Sequence, residues 1–465
     1  MSARSSARTR NPRTVELAML VFSLVVSMGA YAAVGLAHDG RLPEGMFGYG
    51  VGLAVLFGAA HVTLRRFAPD ADPLLLPTVT TLNGLGLAMI HRLDLAYADK
   101  AHQLGHPVPS AAAPAQLTWT AVGVGLFVAV LLLVRDHRVL QRFTYTAMLL
   151  GLGLLLLPLL PVVGGTINGA KIWVRVAGFS FQPGELAKIV LLVFFAGYLV
   201  AKRDVLALAS RRVAGIDLPR ARDLGPVIVA WAASLAVLVF ERDLGTSLLF
   251  FGVFIALLYV ATERLSWLLI GVLLFAFGSY LAYSLFGHVQ ERVDIWLHAF
   301  APSNIDSDSY QLVQGLFGMG SGGLLGKGLG LGRPDIVPYA QTDFIVAAFG
   351  EELGLTGLMA ILLLYAIVVQ RGMRTAIAVR DSFGKLLAAG LAFSVALQVF
   401  VVVGGVTRLI PLTGLTMPFL SYGGSSLVAN WMLIALLARI SDAARRPAPP
   451  PAPSLEDAKT QVVRL

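Results

Sequence analysis

LGTSLLFFGVFIALLYVATERLSWLLIGVLLFAFGSYLAYSLF, residues 244–286, decides the fold. Two apolar runs, 244–261 and 266–286, flank a short polar break that carries Glu263 and Arg264. A helix needs about 20 apolar residues to cross the hydrocarbon of a bilayer, and each run is close to that length. Working outward, similar runs lie at 15–36, 48–66, 74–92, 117–134, 143–161, 184–201, 224–241, 342–369, 383–404 and 421–440. The expectation is an all-α polytopic membrane protein of about twelve spans.

Composition agrees. The chain is 57% hydrophobic and 14% charged, with a mean hydropathy of +0.76, outside the range of soluble domains. It contains no cysteine, which excludes disulfides, thiolate metal sites and a cysteine nucleophile. A net charge of +9 does not argue for nucleic acid, because the basic residues stand in short clusters between apolar runs. Counted by alternate connections, about 25 Lys and Arg fall on one side and about 10 on the other. The excess marks the cytoplasmic side, so both termini are expected in the cytoplasm and the long loop 287–341 outside. Residues 1–14 read as a basic, disordered N-terminus, and 442–465, with PAPPPAP from Pro447, as a Pro-rich tail. The 15–36 run is long for a signal peptide and is read as a first span.

Against this hydrocarbon, a few polar residues stand out. Glu185 and Lys188, in QPGELAKI, are spaced i,i+3 at the start of a span and can pair; they are either snorkelling residues or the lining of a polar cavity. Glu241-Arg242-Asp243 interrupts two spans and is either a tight turn or part of a site. Lys171, Trp173 and Arg175 lie in an amphipathic segment suited to the interface, for anchoring in membrane lipids or for contact with a phosphate or sugar.

Within the long loop, Gly318-Met319-Gly320-Ser321-Gly322-Gly323 fits G-x-G-x-x-G, but no strand precedes it, so a dinucleotide site is excluded. The glycines from 315 to 332 read as a flexible loop on the substrate side, with Lys327 and Arg333 as cations for a phosphate. Asp343, where the chain re-enters the membrane, is either an N-terminal helix acid beside a Thr342 cap or a catalytic carboxylate. Glu351 and Glu352 are expected to bond neighbouring helices. With no His-rich cluster, any metal would be a carboxylate-bound cation of the Mg²⁺ or Mn²⁺ type.

Five stretches in order, QPGELAKI (182–189), RDLGTSLL (242–249), YQLVQGLFGMGSGGLLGKGLG (310–330), QTDFIVAAFGEELGLTG (341–357) and GLTMPFLSYGGSSLVANW (414–431), resemble the SEDS family of peptidoglycan glycosyltransferases, which includes RodA, FtsW and SpoVE. The resemblance covers about 74–441, the expected family core. The two extra spans within 15–73, with TLNGLGLAMIHRLD at 81–94, are similar to the actinobacterial RodA-like members.

The resemblance implies polymerisation of lipid II outside the cytoplasmic membrane during elongation and shape maintenance, in company with a class B penicillin-binding protein. It makes Asp343 the essential acid and matches Glu185, Lys188, Trp173 and Asp243 to family positions. Three departures stand out: Gly184 for Ser, Glu241-Arg242 for Gln-Pro, and Val346 closing the TDFIV stretch. The chemistry expected is Asp343 as general base on the acceptor hydroxyl. Lys171, Arg175, Lys327 or a divalent cation on Glu185 and Asp343 would neutralise the pyrophosphate. The alternatives are a lipid II flippase, a division-specific FtsW-type polymerase, or an idle scaffold for a transpeptidase.

Overall fold

The computed structural model describes residues 12–161, 163–167, 170–176, 179–207, 209–213, 216–219 and 225–446. The basic N-terminus up to residue 11 and the Pro-rich tail from 447 lie outside them. The apolar runs form helices α1 (Pro12–Asp39), α2 (Met46–Phe67), α3 (Leu75–Leu104), α4 (Ala112–Leu133), α5 (Thr144–Leu156), α6 (Pro183–Ala207), α7 (Gly225–Glu241), α8 (Leu244–Thr262) and α9 (Leu265–Leu285). After α10 (Gly287–Leu297) and α11 (Tyr310–Gly322) come α12 (Ile345–Ala378), α13 (Ser382–Val406) and α14 (Gly424–Arg445). Ten helices among the described residues are long and apolar enough to cross a membrane. The other two expected spans are α3 and α7. At 17 residues α7 is short, whereas α3 is long but polar.

The polarity of α3 has a packing reason. It is enclosed by α1, α4 and α12, so its polar side chains must find partners within the protein. Thr80 meets Ser23 of α1 at 3.0 Å, Asn83 donates to Thr120 of α4 at 3.3 Å, and Arg92 donates to Glu352 of α12 at 2.9 Å. Helices α8, α13 and α14 are likewise mostly enclosed, while α2 and α9 turn apolar side chains such as Phe47 and Leu273 outward, as lipid-facing helices do.

Two small antiparallel sheets add to the expected all-α architecture. Strands β1 (Gly164–Ile167), β2 (Ala170–Val176) and β3 (Phe179–Phe181) form one, in the order β1-β2-β3. Strands β4 (Ala209–Val213) and β5 (Ile216–Pro219) form the other. The segment expected to lie as an amphipathic stretch at the interface is therefore a sheet. Lys171, Trp173 and Arg175 alternate along β2 and share one face of it.

The two ends of the bundle are each closed by charge. At the end where α2, α4, α12 and α14 finish, Asp72 accepts from Arg371 at 2.7 Å and from Arg445. There, Arg13 donates to the carbonyls of Ala68 and Ala71 at 2.9 and 2.7 Å. The other end carries β1–β3, the α7–α8 turn, the segment 287–344 and the segment 407–423.

Candidate active site

Asp343 follows a turn in which two non-glycine residues of neighbouring segments, Tyr339 (φ 51°) and Phe419 (φ 67°), take left-handed backbone conformations. Such residues persist only where surrounding contacts over-determine them. Here Tyr422 N–H donates to Gln341 O at 2.7 Å, the Ser421 hydroxyl donates to Thr342 O, and Tyr97 of α3 donates to Gln341 Oε1 at 2.9 Å. Phe344 is fully buried against Gly315 of α11, where a Cβ would come within 2.9 Å of its ring. The main chain on both sides of Asp343 is thus fixed by 414–423, α3 and α11.

Thr342 does not cap α12. Its hydroxyl lies 2.8 Å from Tyr339 O and 2.9 Å from Asp343 Oδ1, and α12 begins after Phe344 with no acid in its first turn. Asp343 is half-buried and makes no ion pair among the described residues. Enclosure by protein pushes its carboxyl above the ordinary carboxylate range, against the opposing pull of Thr342 and the nearby Arg292.

Arg292 is a residue that sequence reasoning passed over. It stands on α10, donates Nη1–H to Leu412 O at 2.7 Å, and its charge reaches both Asp343 and Asp243. It also lines an almost wholly apolar cavity of about 480 Å³ between α8, α9, α10 and α13, with Phe251, Phe275 and Trp296 among the walls. Its only sequence signal was its place in the polar run after 286. Its partner lies 120 residues away.

Glu185, Asp243, Glu351 and Glu352 are committed, whereas Glu241, buried at the end of α7, makes no ion pair among the described residues. Glu185 and Lys188 pair at 2.9 Å as the i,i+3 spacing required, and Lys188 also donates to Gln398 at 2.9 Å. Gln398 in turn donates to Thr416 O at 2.8 Å, tying this pair to the segment that holds Asp343. Asp243 caps α8, accepting from Thr246 N–H at 2.8 Å and from its hydroxyl at 2.6 Å. Burial raises its pKa, which those two bonds oppose, and it also lies within reach of the Glu185 charge. Arg242 just before it has φ 59°, which proline cannot adopt, so this turn differs in shape from one carrying the family's usual Gln-Pro. At Gly184 a Cβ would meet nothing within 4 Å, so the usual Ser has room there.

Lys327 corrects an expectation. It pairs with the buried Glu351 at 2.7 Å and is no free cation for a pyrophosphate. The glycine run is also not a loose loop. Lys327 N–H and Gly328 N–H donate to the carbonyls of Glu351 and Glu352 at 3.1 and 2.9 Å, and Gly330 and Arg333 N–H donate to their carboxylates at 2.9 Å. At Gly354 (φ 66°) a Cβ would lie 2.3 Å from Gly326 N, so two backbones meet where no side chain fits. Lys171 and Arg175 are exposed and make no ion pair among the described residues; the structure brings neither into bonded contact with Asp343.

No group of three or more His, Asp or Glu among the described residues could hold a metal. Glu185 is paired with Lys188, and no hydrogen bond or ion pair joins it to Asp343 among the described residues.

Residues 73–446 match the FtsW/RodA/SpoVE family, described as cell cycle protein. The chain belongs to this family. It is 54% identical over 437 residues to the peptidoglycan glycosyltransferase RodA of Mycobacterium tuberculosis (strain ATCC 25618 / H37Rv), covering 94% of this chain and 92% of the relative. Among solved structures, the rod shape determining protein RodA of Thermus thermophilus matches with a TM-score of 0.53 at 26% identity, over 81% of this chain and 98% of that one. A second, from work on structural coordination of polymerization and crosslinking by a peptidoglycan synthase complex, gives a TM-score of 0.55 at 26% identity, over 85% and 97%. For this FtsW/RodA/SpoVE member, α3 is the first helix inside the family match, and α1 and α2 precede it.

Proposed function

We infer that this chain is a peptidoglycan glycosyltransferase of the RodA type that polymerises lipid II during elongation, with Asp343 as general base. The observation that carries the assignment of the base is the state of the acids. Glu185, Glu351 and Glu352 are each paired with a cation and Asp243 caps α8, whereas Asp343 makes no ion pair among the described residues, is held only by the Thr342 hydroxyl and local backbone N–H groups, and, unlike the buried Glu241, is only half-buried. Its main chain is fixed and its carboxylate is available.

In the reaction, Asp343 takes the proton from the 4-hydroxyl of the acceptor sugar as that oxygen bonds to the anomeric carbon of the donor. The bond from that carbon to the polyprenyl pyrophosphate breaks, and the bonding pair leaves on the phosphate oxygen. Direct displacement inverts the anomeric carbon. The leaving group needs positive charge more than a proton. Arg292 supplies it beside Asp343, with Lys171 and Arg175 on β2 as further cations. The apolar cavity that Arg292 heads suits the lipid chain of the same substrate. Lys188 acts as a positioning residue through Gln398 and the 414–423 segment.

A Mg²⁺ or Mn²⁺ ion would find no ready-made cage among the described residues. Such an ion would be held by water and the substrate's phosphate oxygens, a coordination that Mg²⁺ accepts, and would help neutralise the departing pyrophosphate. The bias of basic residues supports a topology with both termini in the cytoplasm and Asp343 at the outer face. A class B penicillin-binding protein is the partner proposed, as the match to a chain of a peptidoglycan synthase complex supports.

The test uses purified protein and lipid II in detergent, with and without a class B partner and with Mg²⁺, Mn²⁺ or EDTA. Glycan chains are the expected product. A wild-type polymerisation rate in Asp343→Asn would remove the base assignment, and translocation in liposomes with no glycan under any condition would replace the enzyme by a flippase.

A further inference from the structure

The end of the bundle remote from Asp343 holds a second charged site. The connection from α4 to α5 runs through Arg135-Asp136-His137-Arg138 into a 3-10 turn, His137–Phe143, and packs against the last turn of α14. Between them lies a cavity of about 200 Å³. Arg135, Arg138, Arg439 and Arg446 line it, against only Asp136 and Asp442.

The charges do not cancel. Asp442 accepts from Arg446 at 2.6 Å and lies 3.8 Å from Arg439. Arg439 directs its donors to the main-chain carbonyls of Val134, Leu131 and Phe67, which orient the guanidinium without neutralising it. Arg138 comes no closer than 3.5 Å to Asp381, whose carboxylate already meets His137 Nε2 at 2.9 Å. Arg135 is exposed and makes no ion pair among the described residues.

An independent observation points the same way. His137 is 1% exposed, and its Nδ1 has no hydrogen-bond partner; Asp136 Oδ1, at 3.8 Å, is too far. A buried polar atom left unpaired is costly and calls for a partner that completes it. Nε2 is engaged with Asp381 and the His137 ring lines the cavity, so its unpaired Nδ1 is a polar atom that a bound group can meet.

We propose that this cavity binds a phosphate group, either the headgroup of an anionic phospholipid or free phosphate. Guanidinium forks match phosphate oxygens, and basic pockets between membrane helices at the bilayer surface hold such headgroups. The surroundings suit a lipid. Arg138 and Arg142 continue into an adjoining cavity of about 380 Å³ with exposed Val139 on its wall. Nearby, Leu133 is 82% exposed and Phe143 is exposed as well, which leaves apolar surface for acyl chains.

The test reconstitutes the full-length protein in phosphatidylcholine nanodiscs with or without phosphatidylglycerol. Phosphatidylglycerol retained by the protein is counted by native mass spectrometry. In lipid-free detergent, inorganic phosphate is titrated against the thermal unfolding midpoint. Selective phosphatidylglycerol retention assigns the lipid source, and a midpoint rise with phosphate alone assigns the free anion. R135Q/R138Q is expected to weaken binding about fivefold per arginine, the equivalent of ~1 kcal/mol each. R135K/R138K should keep most of it.

R65Q/R66Q removes the same charge from the exposed last turn of α2 at the same end and should leave retention unchanged. The proposal fails if neither probe binds, or if the α2 pair lowers retention as much as the Arg135/Arg138 pair. Should R135Q/R138Q fail to fold, Arg135→Gln alone supports the same comparison.

Discussion

Asp343 and the pair Glu351-Glu352 stand on one short stretch of chain, at one end of the bundle, and the protein treats them in opposite ways. Glu351 receives Lys327 Nζ at 2.7 Å and Arg333 N–H at 2.9 Å; Glu352 receives Arg92 at 2.9 Å and Gly330 N–H at 2.9 Å. Both are buried and both are satisfied, and they nail the glycine run to α12. Asp343 is held in place through its backbone instead, and its carboxylate has only the Thr342 hydroxyl and local backbone N–H groups, with no ion pair among the described residues. Burial alone therefore does not mark a functional acid near a membrane. What separates the two regions is whether the carboxylate is paired with a cation.

That contrast can be broken by substitution. The largest effect expected is on Asp343→Asn, with polymerisation falling roughly 10²–10⁴-fold and the unfolding midpoint unchanged. A comparable drop in midpoint would move Asp343 into the structural class. Arg292→Gln should lower the rate on the order of 10²-fold, because positive charge facing a departing pyrophosphate is removed. Arg292→Lys is expected to recover part of that loss, and an unchanged unfolding midpoint in Arg292→Gln would separate the charge from a structural contact with Leu412 O.

Arg92→Met should do the reverse of Asp343→Asn. Leaving Glu352 buried without its cation costs about 3–5 kcal/mol of stability, read by denaturation in detergent, while activity per folded molecule is kept. The pH profile sharpens the comparison further. A base whose folded pKa is raised is active above that pKa and loses activity as pH falls through it. The acid limb of the rate should therefore lie above the ordinary carboxylate range and vanish from the residual rate of Asp343→Asn. Lys327→Met is the smallest of these, at about 1 kcal/mol or less, since that lysine is 37% exposed and Glu351 keeps the Arg333 N–H.

Much of the fold was legible because apolar run length is a local property. The spans at 244–261 and 266–286 became α8 and α9 with boundaries shifted by a few residues. The Glu185–Lys188 pair was legible for the same reason, since i,i+3 spacing on a helix brings two side chains together whatever surrounds them. Other features depended on distant chain. Nothing local marks Lys327 as the partner of Glu351, or Arg292 as the donor to Leu412. Local sequence also could not separate a sheet from an interfacial stretch at 164–181, because Lys171, Trp173 and Arg175 alternate over a segment too short to carry a clear period. The glycines suggested freedom, whereas their use is close backbone contact, which requires the same absence of Cβ.

The two ends of the 55-residue segment 287–341 rest on one sill, besides the hold of α12 on its glycine run. At one foot, Arg292 donates to Leu412 O, Trp296 donates to Arg408 O at 3.1 Å, and Arg408 returns bonds to Trp296 O and Leu297 O at 2.7 and 2.8 Å. At the other foot, Ser421 and Tyr422 hold Thr342 and Gln341. Both feet stand on 407–423, so the insertion is an arch whose footing does not depend on the length of its crown. Lengthening a closed loop adds only about 0.6 kcal/mol per doubling. A short epitope placed among the exposed residues 306–308 should therefore leave polymerisation intact, offering a handle at the Asp343 end of the bundle that does not shift Asp343.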